Sequence, residues 1–261
     1  MKTKIISMLV VIMLLFTNFV YAIEMPMNEF KNNVEELFLK KLVITSESGV
    51  ATNSGVEKVE ITDTLIKVIS EGQEIDINYS VEGDTLNIDS QFQMNLKYQE
   101  NGELSNESSL EFFGMMMVLS NCIDRVYLAA TKTMGIDMSV AMSYANELNS
   151  SVQPQEFETE TGMKTLIETS LTKSEAEINL KTGMYAIKQS INLDELSKIT
   201  EQSLLNGVKY NVALVENNNT EQPENPTQPE MPKTGIAYET VYVLIAIIAI
   251  CIVAGYKVYK K

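Results

Sequence analysis

The chain has few of the residues that enzymes usually assemble into a catalytic group. It contains no His, so a His-based triad, a Cys–His pair and a His zinc ligand are all impossible. Its two cysteines are Cys122 and Cys251, and Cys251 lies in the apolar C-terminal stretch. No internal disulfide can therefore staple the region between the two ends, and Cys122, in a strongly apolar stretch, is expected to be a small buried hydrophobe. A serine nucleophile would need Lys as its base. Carboxylates are abundant, but no motif marks a pair for glycoside hydrolysis. Asp84 and Asp89 place oxygens near Gly83 without the spacing of a calcium loop, so no metal or cofactor is expected. The Asn-x-Ser/Thr triplets at Asn78, Asn106, Asn149 and Asn218 are expected by chance in an Asn-rich chain. One short peptide stands apart: Met231, Pro232, Lys233, Thr234 and Gly235. Pro232 has a fixed φ that favours a bent, extended conformation. In chemical terms this peptide reads as something to be acted on.

Its surroundings extend the pattern. Residues 241–255 carry no charge, and Lys257, Lys260 and Lys261 close the chain. That order resembles the sorting signal of Gram-positive surface proteins, which begins Leu-Pro-x-Thr-Gly and is cut by a sortase between Thr and Gly. Met231 stands in place of the Leu and, being flexible and apolar, suits a pocket built for Leu. The resemblance covers residues 231–261 only. It implies that a sortase Cys attacks the Thr234 carbonyl, that Gly235 onward is released, and that Thr234 becomes joined to a peptidoglycan amine. Before sorting, a transmembrane segment over about residues 240–256 would hold the chain in the membrane. At 1.5 Å per residue it reaches roughly 25 Å, a little short of the ~30 Å hydrocarbon core. The terminal lysines would remain in the cytoplasm.

The other end matches. Residues 1–22 read as a secretory signal peptide: Lys2 and Lys4, then an apolar run, then a cut after Ala22. Residues 216–230 form a linker rich in Asn, Gln, Glu and Pro, with Pro223, Pro226 and Pro229 evenly spaced, a composition suited to an extended spacer. Between residues 23 and 230, 14 Lys and Arg face 34 Asp and Glu, a net of −20. Such a surface disfavours nucleic acid and anionic lipid as partners and favours solubility outside the cell. Arg125 is the only Arg against 19 Lys, which with the missing Trp and His reads as AT-rich coding bias.

Residues 23–215 must then supply the ectodomain. A helix is expected over 26–42, where Met27, Phe30, Val34, Leu37, Phe38 and Leu42 recur at helical spacing. Residues 47–55 read as loop. From 56 to 98 the period becomes two: Ile75, Ile77, Tyr79 and Val81 oppose Glu74, Asp76, Asn78 and Ser80, and Gly72 and Gly83 mark turns. A capping box of Ser108 and Glu111 opens an almost wholly apolar helix over 110–134, whose narrow polar stripe is Glu111, Gly114, Asn121, Arg125 and Lys132. Asn121, Asp124 and Arg125 argue against a membrane span, because charge at mid-bilayer costs several kcal/mol. Asp137 caps a second helix to about Leu148. Three strand runs follow over 157–191, with turns at 173–174 and 181–183, then a short helix over 194–206 and a strand over 208–214. This order indicates an α+β fold, with a largely antiparallel, curved sheet packed around the central apolar helix. Two sequential halves, divided near 149–155, are the alternative.

The expectation for function is a wall-anchored, non-enzymatic binding or interaction module on the outer face of a low-GC Gram-positive cell. An alternative is a carrier for an apolar ligand, using Phe112, Phe113, Met115, Met116 and Met117 as a soft apolar face. A surface hydrolase is a further alternative.

Overall fold

Helix α1, Met27–Leu39, buries one stripe: Phe30, Val34, Leu37 and Phe38 are each 0% exposed. Each such side chain contributes about 1.5–3 kcal/mol when fully buried. The computed structural model that gives this geometry describes residues 24–216, apart from 71, 101, 103 and 161. The expected signal peptide, the sorting motif with its apolar segment, and the spacer beyond Glu216 lie outside the described residues.

The first helix stops three residues earlier than its apolar spacing suggests, because Leu42 belongs to a strand. β1 (Lys41–Ser46) is paired on both edges, with β2 (Gly49–Asn53) and with β11 (Asn211–Val215), in a three-stranded antiparallel sheet. Residues 47–55, expected to be loop, thus contain β2. Its Gly, Thr and Asn content gives little local strand signal, and the pairing with β1 supplies the missing preference.

The second sheet has eight strands in the order β3-β4-β5-β6-β10-β9-β8-β7, with every neighbour antiparallel. β3 (Lys58–Ile61), β4 (Leu65–Ser70), β5 (Gln73–Glu82) and β6 (Thr85–Gln93) are the first meander. β7 (Gln155–Glu158), β8 (Gly162–Glu168), β9 (Thr172–Asn179) and β10 (Met184–Asn192) are the second. The two join where β6 meets β10, with Phe92 opposite Tyr185 and Leu86 opposite Ile191. The second meander has four strands where three runs were expected. Its break falls at Thr169, whose hydroxyl accepts the Thr172 amide at 3.0 Å, and not at Lys173 and Ser174, which lie inside β9. A Thr side chain that mimics a backbone partner in this way turns the chain without Gly or Pro.

α2 (Asn106–Thr133) is the long apolar helix, and it passes by length and composition for a membrane-crossing helix. One apolar face is taken up by the protein, while Leu110 and Val118 stay exposed. Phe112 packs against Phe92 of β6 at 5.4 Å between ring centroids, and Phe92 packs on Tyr185 of β10 at 5.7 Å. Its cap is Ser105, whose hydroxyl accepts the Ser108 amide at 3.2 Å. The Ser108 cap expected from sequence is displaced by one turn: Ser108 is buried inside the helix and accepts the Lys97 amide. α3 (Met138–Ser151) starts on Asp137 as expected, its carboxylate accepting the Ser139 and Val140 amides. α4 (Leu193–Ser197) and a 3₁₀ turn (Glu201–Ser203) replace the single short helix expected there.

Candidate functional site

Five residues within 112–117 of α2 were expected to share an apolar face, but at about 100° per residue such closeness in sequence spreads them around the helix. Phe112 and Met116 are 0% and 1% exposed in the core, whereas Phe113, Met115 and Met117 are half-buried. Met115 stands two residues from both Phe113 and Met117, and residues two apart do not share a face. The expected face therefore divides. The polar stripe divides as well: Glu111 and Gly114 are exposed, while Arg125 is buried.

Arg125 explains the later part of that stripe. Its guanidinium donates to the carbonyls of Leu37 and Lys40, at the end of α1, and to those of Asn53 and Ser54, at the end of β2, at 3.0 and 2.8 Å. It also lies 5.8 Å from the Phe38 ring centroid. Burial pulls its pKa down to about 10, so it stays charged at neutral pH. A cation is favoured at the carbonyl end of a helix, and a forked donor can satisfy several acceptors at once. Lys132 reaches Glu36, and Asn33 donates to Thr133 at 2.9 Å, along the same seam. This stripe is the joint between α1 and α2, and it is used up by it.

The opposite side of α2 differs. Phe113, Met117, Ser120, Asp124 and Tyr127 follow one another at intervals of three and four residues, so they share a stripe. Its lower part is closed: Tyr127, Leu128 and Thr131 are 6%, 0% and 0% exposed. Its upper part is open: Phe113, Met117 and Ser120 are half-buried and Asp124 is exposed. Asp124 thus stands at the boundary between the open and the closed part of the stripe. Burial is the sole cause that pushes its carboxyl up to about 7. Among the described residues, no hydrogen bond or ion pair engages this side chain.

Tyrosines stand around it. Asp124 acts on both the Tyr127 and Tyr185 phenols, and Ser120 lies within reach of the Tyr185 hydroxyl. Burial raises the pKa of both phenols, so neither ionises near neutrality. The Tyr127 hydroxyl donates to the Ala141 carbonyl on α3 at 3.1 Å, and Tyr144 of the same helix lies near Tyr127. Ile187 and Gln189 follow Tyr185 on the same face of β10 and are half-buried, as is Ala176 opposite Ile187. Gln189 donates to the Ser174 hydroxyl at 3.3 Å, which leaves its Oε1 as a buried acceptor with no partner. In a well-packed interior such an acceptor is uncommon.

The remaining candidates are scattered. Cys122 is buried and its thiol is pushed up to about 12 by burial, so it is neither a nucleophile nor a ready metal ligand. One Ser-x-x-Lys occurs, Ser170 to Lys173, but it straddles the exposed turn into β9, where Lys173 extends toward Glu175 at 4.0 Å. Asp84 sits in a hairpin turn, and Asp89 accepts from Asn78 at 3.1 Å. Among the described residues no group of three or more acidic or Cys side chains is placed to hold a metal. Asp124 entered the sequence reading only as a charge that opposes a membrane span. Its place on one stripe with the buried Tyr127, Leu128 and Thr131 was the signal that it adjoins the closed side of α2.

No protein-family model matches the chain, and neither curated proteins nor solved structures provide a match to it.

Proposed function

We propose that the protein is an exported binding module, held on the cell wall by a sortase and displayed outward without catalysing a reaction of its own. The observation that carries this reading is the order in the tail: Met231-Pro232-Lys233-Thr234-Gly235, then an uncharged run, then Lys257, Lys260 and Lys261. A signal peptide cut after Ala22 and a Pro-bearing spacer complete a delivery system around residues 23–215. In this arrangement Thr234 is the residue joined to peptidoglycan, sortase is a transient partner, and the apolar segment is a temporary stop in the membrane. The acidic surface keeps the module soluble and turns away nucleic acid. Cell fractionation tests the reading: in a Gram-positive host, deletion of the sortase genes or Thr234→Ala should shift the protein out of the covalent wall fraction. Unchanged wall attachment in both strains would refute it.

A second reading is favoured by the half-open stripe of α2 that ends at Asp124. An inward stripe that is open in its upper part, facing a sheet with half-buried Ile187 and Ala176, suits a carrier for a ligand with an apolar body. On this reading the eight-stranded sheet curves around α2 and leaves room between them. Phe113 and Met117 then belong to the ligand side, whereas Phe112 and Met116 belong to the core.

A further inference from the structure

We propose that β2 is a docking edge for a second copy of this chain, the two strands pairing antiparallel across a two-fold axis. The described residues form two sheets, and three of the outer strands are guarded. The edge of β11 is used by α3, since the Tyr210 and Val212 amides donate to the Ser143 and Ser139 hydroxyls. β3 carries exposed Lys58 and Glu60 and lies against α1. β7 follows Pro154 and carries exposed Glu156 and Glu158. Charge, Pro and a covering helix are ordinary devices that keep sheet edges from pairing. β2, Gly49–Asn53, has neither charge nor Pro, and its Val50 is 61% exposed. Among the described residues, hydrogen bonds from α2 reach it only at its end, where Asn53 donates to Asn121 and Arg125 holds the Asn53 carbonyl.

The register fixes which backbone groups of β2 are free. The Val212 amide points to Ser139 and away from β1, so Ile44, opposite Val212, turns its own amide and carbonyl toward Ala51 of β2. Such groups alternate along an antiparallel ladder. Gly49, Ala51 and Asn53 are thus spent on β1, whereas Val50 and Thr52 each direct an amide and a carbonyl to the open edge. Among the described residues no hydrogen bond engages those groups. A two-fold axis at Ala51 puts Val50 opposite the partner's Thr52, and Thr52 opposite the partner's Val50, which closes all of them in backbone hydrogen bonds. Gly49 then lies opposite the partner's Asn53, and it has no side chain to collide. The strand is complementary to itself in this register, and each three-stranded sheet becomes half of a larger one.

Charge selects a second copy over a different protein. The chain has a formal net charge of −15, so two copies repel each other except where carboxylates are missing. The outer face of the three-stranded sheet is such a place. Val50 and Thr52 stand there opposite Thr45 and Val43 of β1, and Val43 stands opposite Ala213 of β11. Val43 and Ala213 are half-buried without packing on the core. The outer face of the eight-stranded sheet instead carries charged pairs, such as Lys67 with Asp76 and Asp89 with Lys188. A basic partner would find its carboxylates there and none along β2. The charges at the two ends of the pairing complement each other, because Glu47 in the hairpin turn approaches the end of the partner where Lys41 begins β1. The contact is small and belongs to the transient class.

Two measurements on the purified full-length chain test the pairing, both with Cys251→Ser as background, since Cys122 is buried. The first is disulfide trapping with diamide as oxidant. An equal mixture of Val50→Cys and Thr52→Cys chains should give a cross-linked dimer, because hydrogen-bonded neighbours lie within disulfide range. Either variant alone should give at least about fivefold less, because like positions sit on a diagonal roughly 7–8 Å apart. The second is sedimentation equilibrium in density-matched detergent. The parent should form a concentration-dependent dimer, and Thr52→Pro should weaken it at least about tenfold by removing an edge donor. That amide is unused within the chain, so Tm in dilute solution should stay unchanged; if it falls, the trapping result decides. Equal trapping in single and mixed samples would overturn the proposal. So would a parent that stays monomeric up to about 200 μM, well above the range of a transient pair, or a dimer that a folded Thr52→Pro chain retains. None of these outcomes bears on wall attachment, which cell fractionation tests by itself.

Discussion

Adjacent in α2, Asp124 and Arg125 carry opposite charges that the fold uses separately. Arg125 closes carbonyls at the end of α1 and beyond β2, so truncation would leave several buried acceptors unpaired. Arg125→Ala should therefore cost about 3 kcal/mol or more, read as a lower urea midpoint. Arg125→Lys should restore only part of this, since a single ammonium cannot fork across four carbonyls. Asp124 works the other way. Its folded pKa is raised by burial to about 7, from the usual 3.8 of an aspartate. Between those two values the folded state keeps a proton that the unfolded state releases, so its contribution to stability falls as pH rises from about 4 to 7 and stays low above. Asp124→Asn removes the ionisable group and should raise Tm at pH 8. The gain should be roughly 1–2 kcal/mol, discounted from the full shift because solvent reaches the carboxyl. At pH 4 the same substitution should change Tm little. A variant that is less stable than the parent at pH 8 would mean that the carboxylate makes a contact that stabilises it.

Elements with a regular period were legible in the sequence, and those made by long-range pairing were not. β5 could be read residue by residue, because Ile75, Ile77 and Tyr79 alternate with exposed neighbours and are 5%, 0% and 3% exposed. β2 could not, since its strand character comes from β1 across the turn. The Ser105 cap was hidden by Ser108, which fits the same motif but is held by the Lys97 amide instead. The half-open stripe was missed for a related reason: Phe112 to Met117 were grouped by adjacency, whereas the helix sorts them by intervals of three and four. The seam between the meanders was also invisible locally, yet one glycine reports on it. Gly183 turns from β9 to β10 at φ +65°, and an added Cβ would lie 1.9 Å from the Met94 carbonyl oxygen. That same backbone is tied to the seam, because the Met94 amide donates to the Gly183 carbonyl at 3.0 Å. Gly183→Ala should thus cost about 2 kcal/mol or more, from left-handed strain plus a collision with backbone. Gly83→Ala, with a similar φ of +64° but open space at its Cβ, should cost only the strain. Comparing the two Tm losses isolates the collision.

At the scale of the whole molecule, the last strand before the spacer closes the fold. β11 pairs with β1, so the end of the described chain lies beside a strand near its beginning. It is also held by α3, where the Ser143 hydroxyl accepts the Lys209 and Tyr210 amides and the Ser139 hydroxyl accepts the Val212 amide. Tyr210 and Val212 are 4% and 8% exposed, and without them α3 would face solvent with an open apolar edge. A wall-joined Thr234 would make β11 the first element to meet any pull transmitted through the spacer. Chains of residues 23–216 and 23–209 test how much depends on it. The longer should unfold cooperatively at nearly the Tm of the mature protein, because the polar, Pro-bearing composition that follows cannot build a core. The shorter loses a strand, the amide partners of two serines and two buried side chains, a loss of several kcal/mol against a typical total of 5–15. It should melt well below the longer form or fail to show a cooperative transition in calorimetry. Equal melting of the two would mean that β11 is carried by the fold and does not hold it, and that a pull through the spacer could strip it without loss of the eight-stranded sheet.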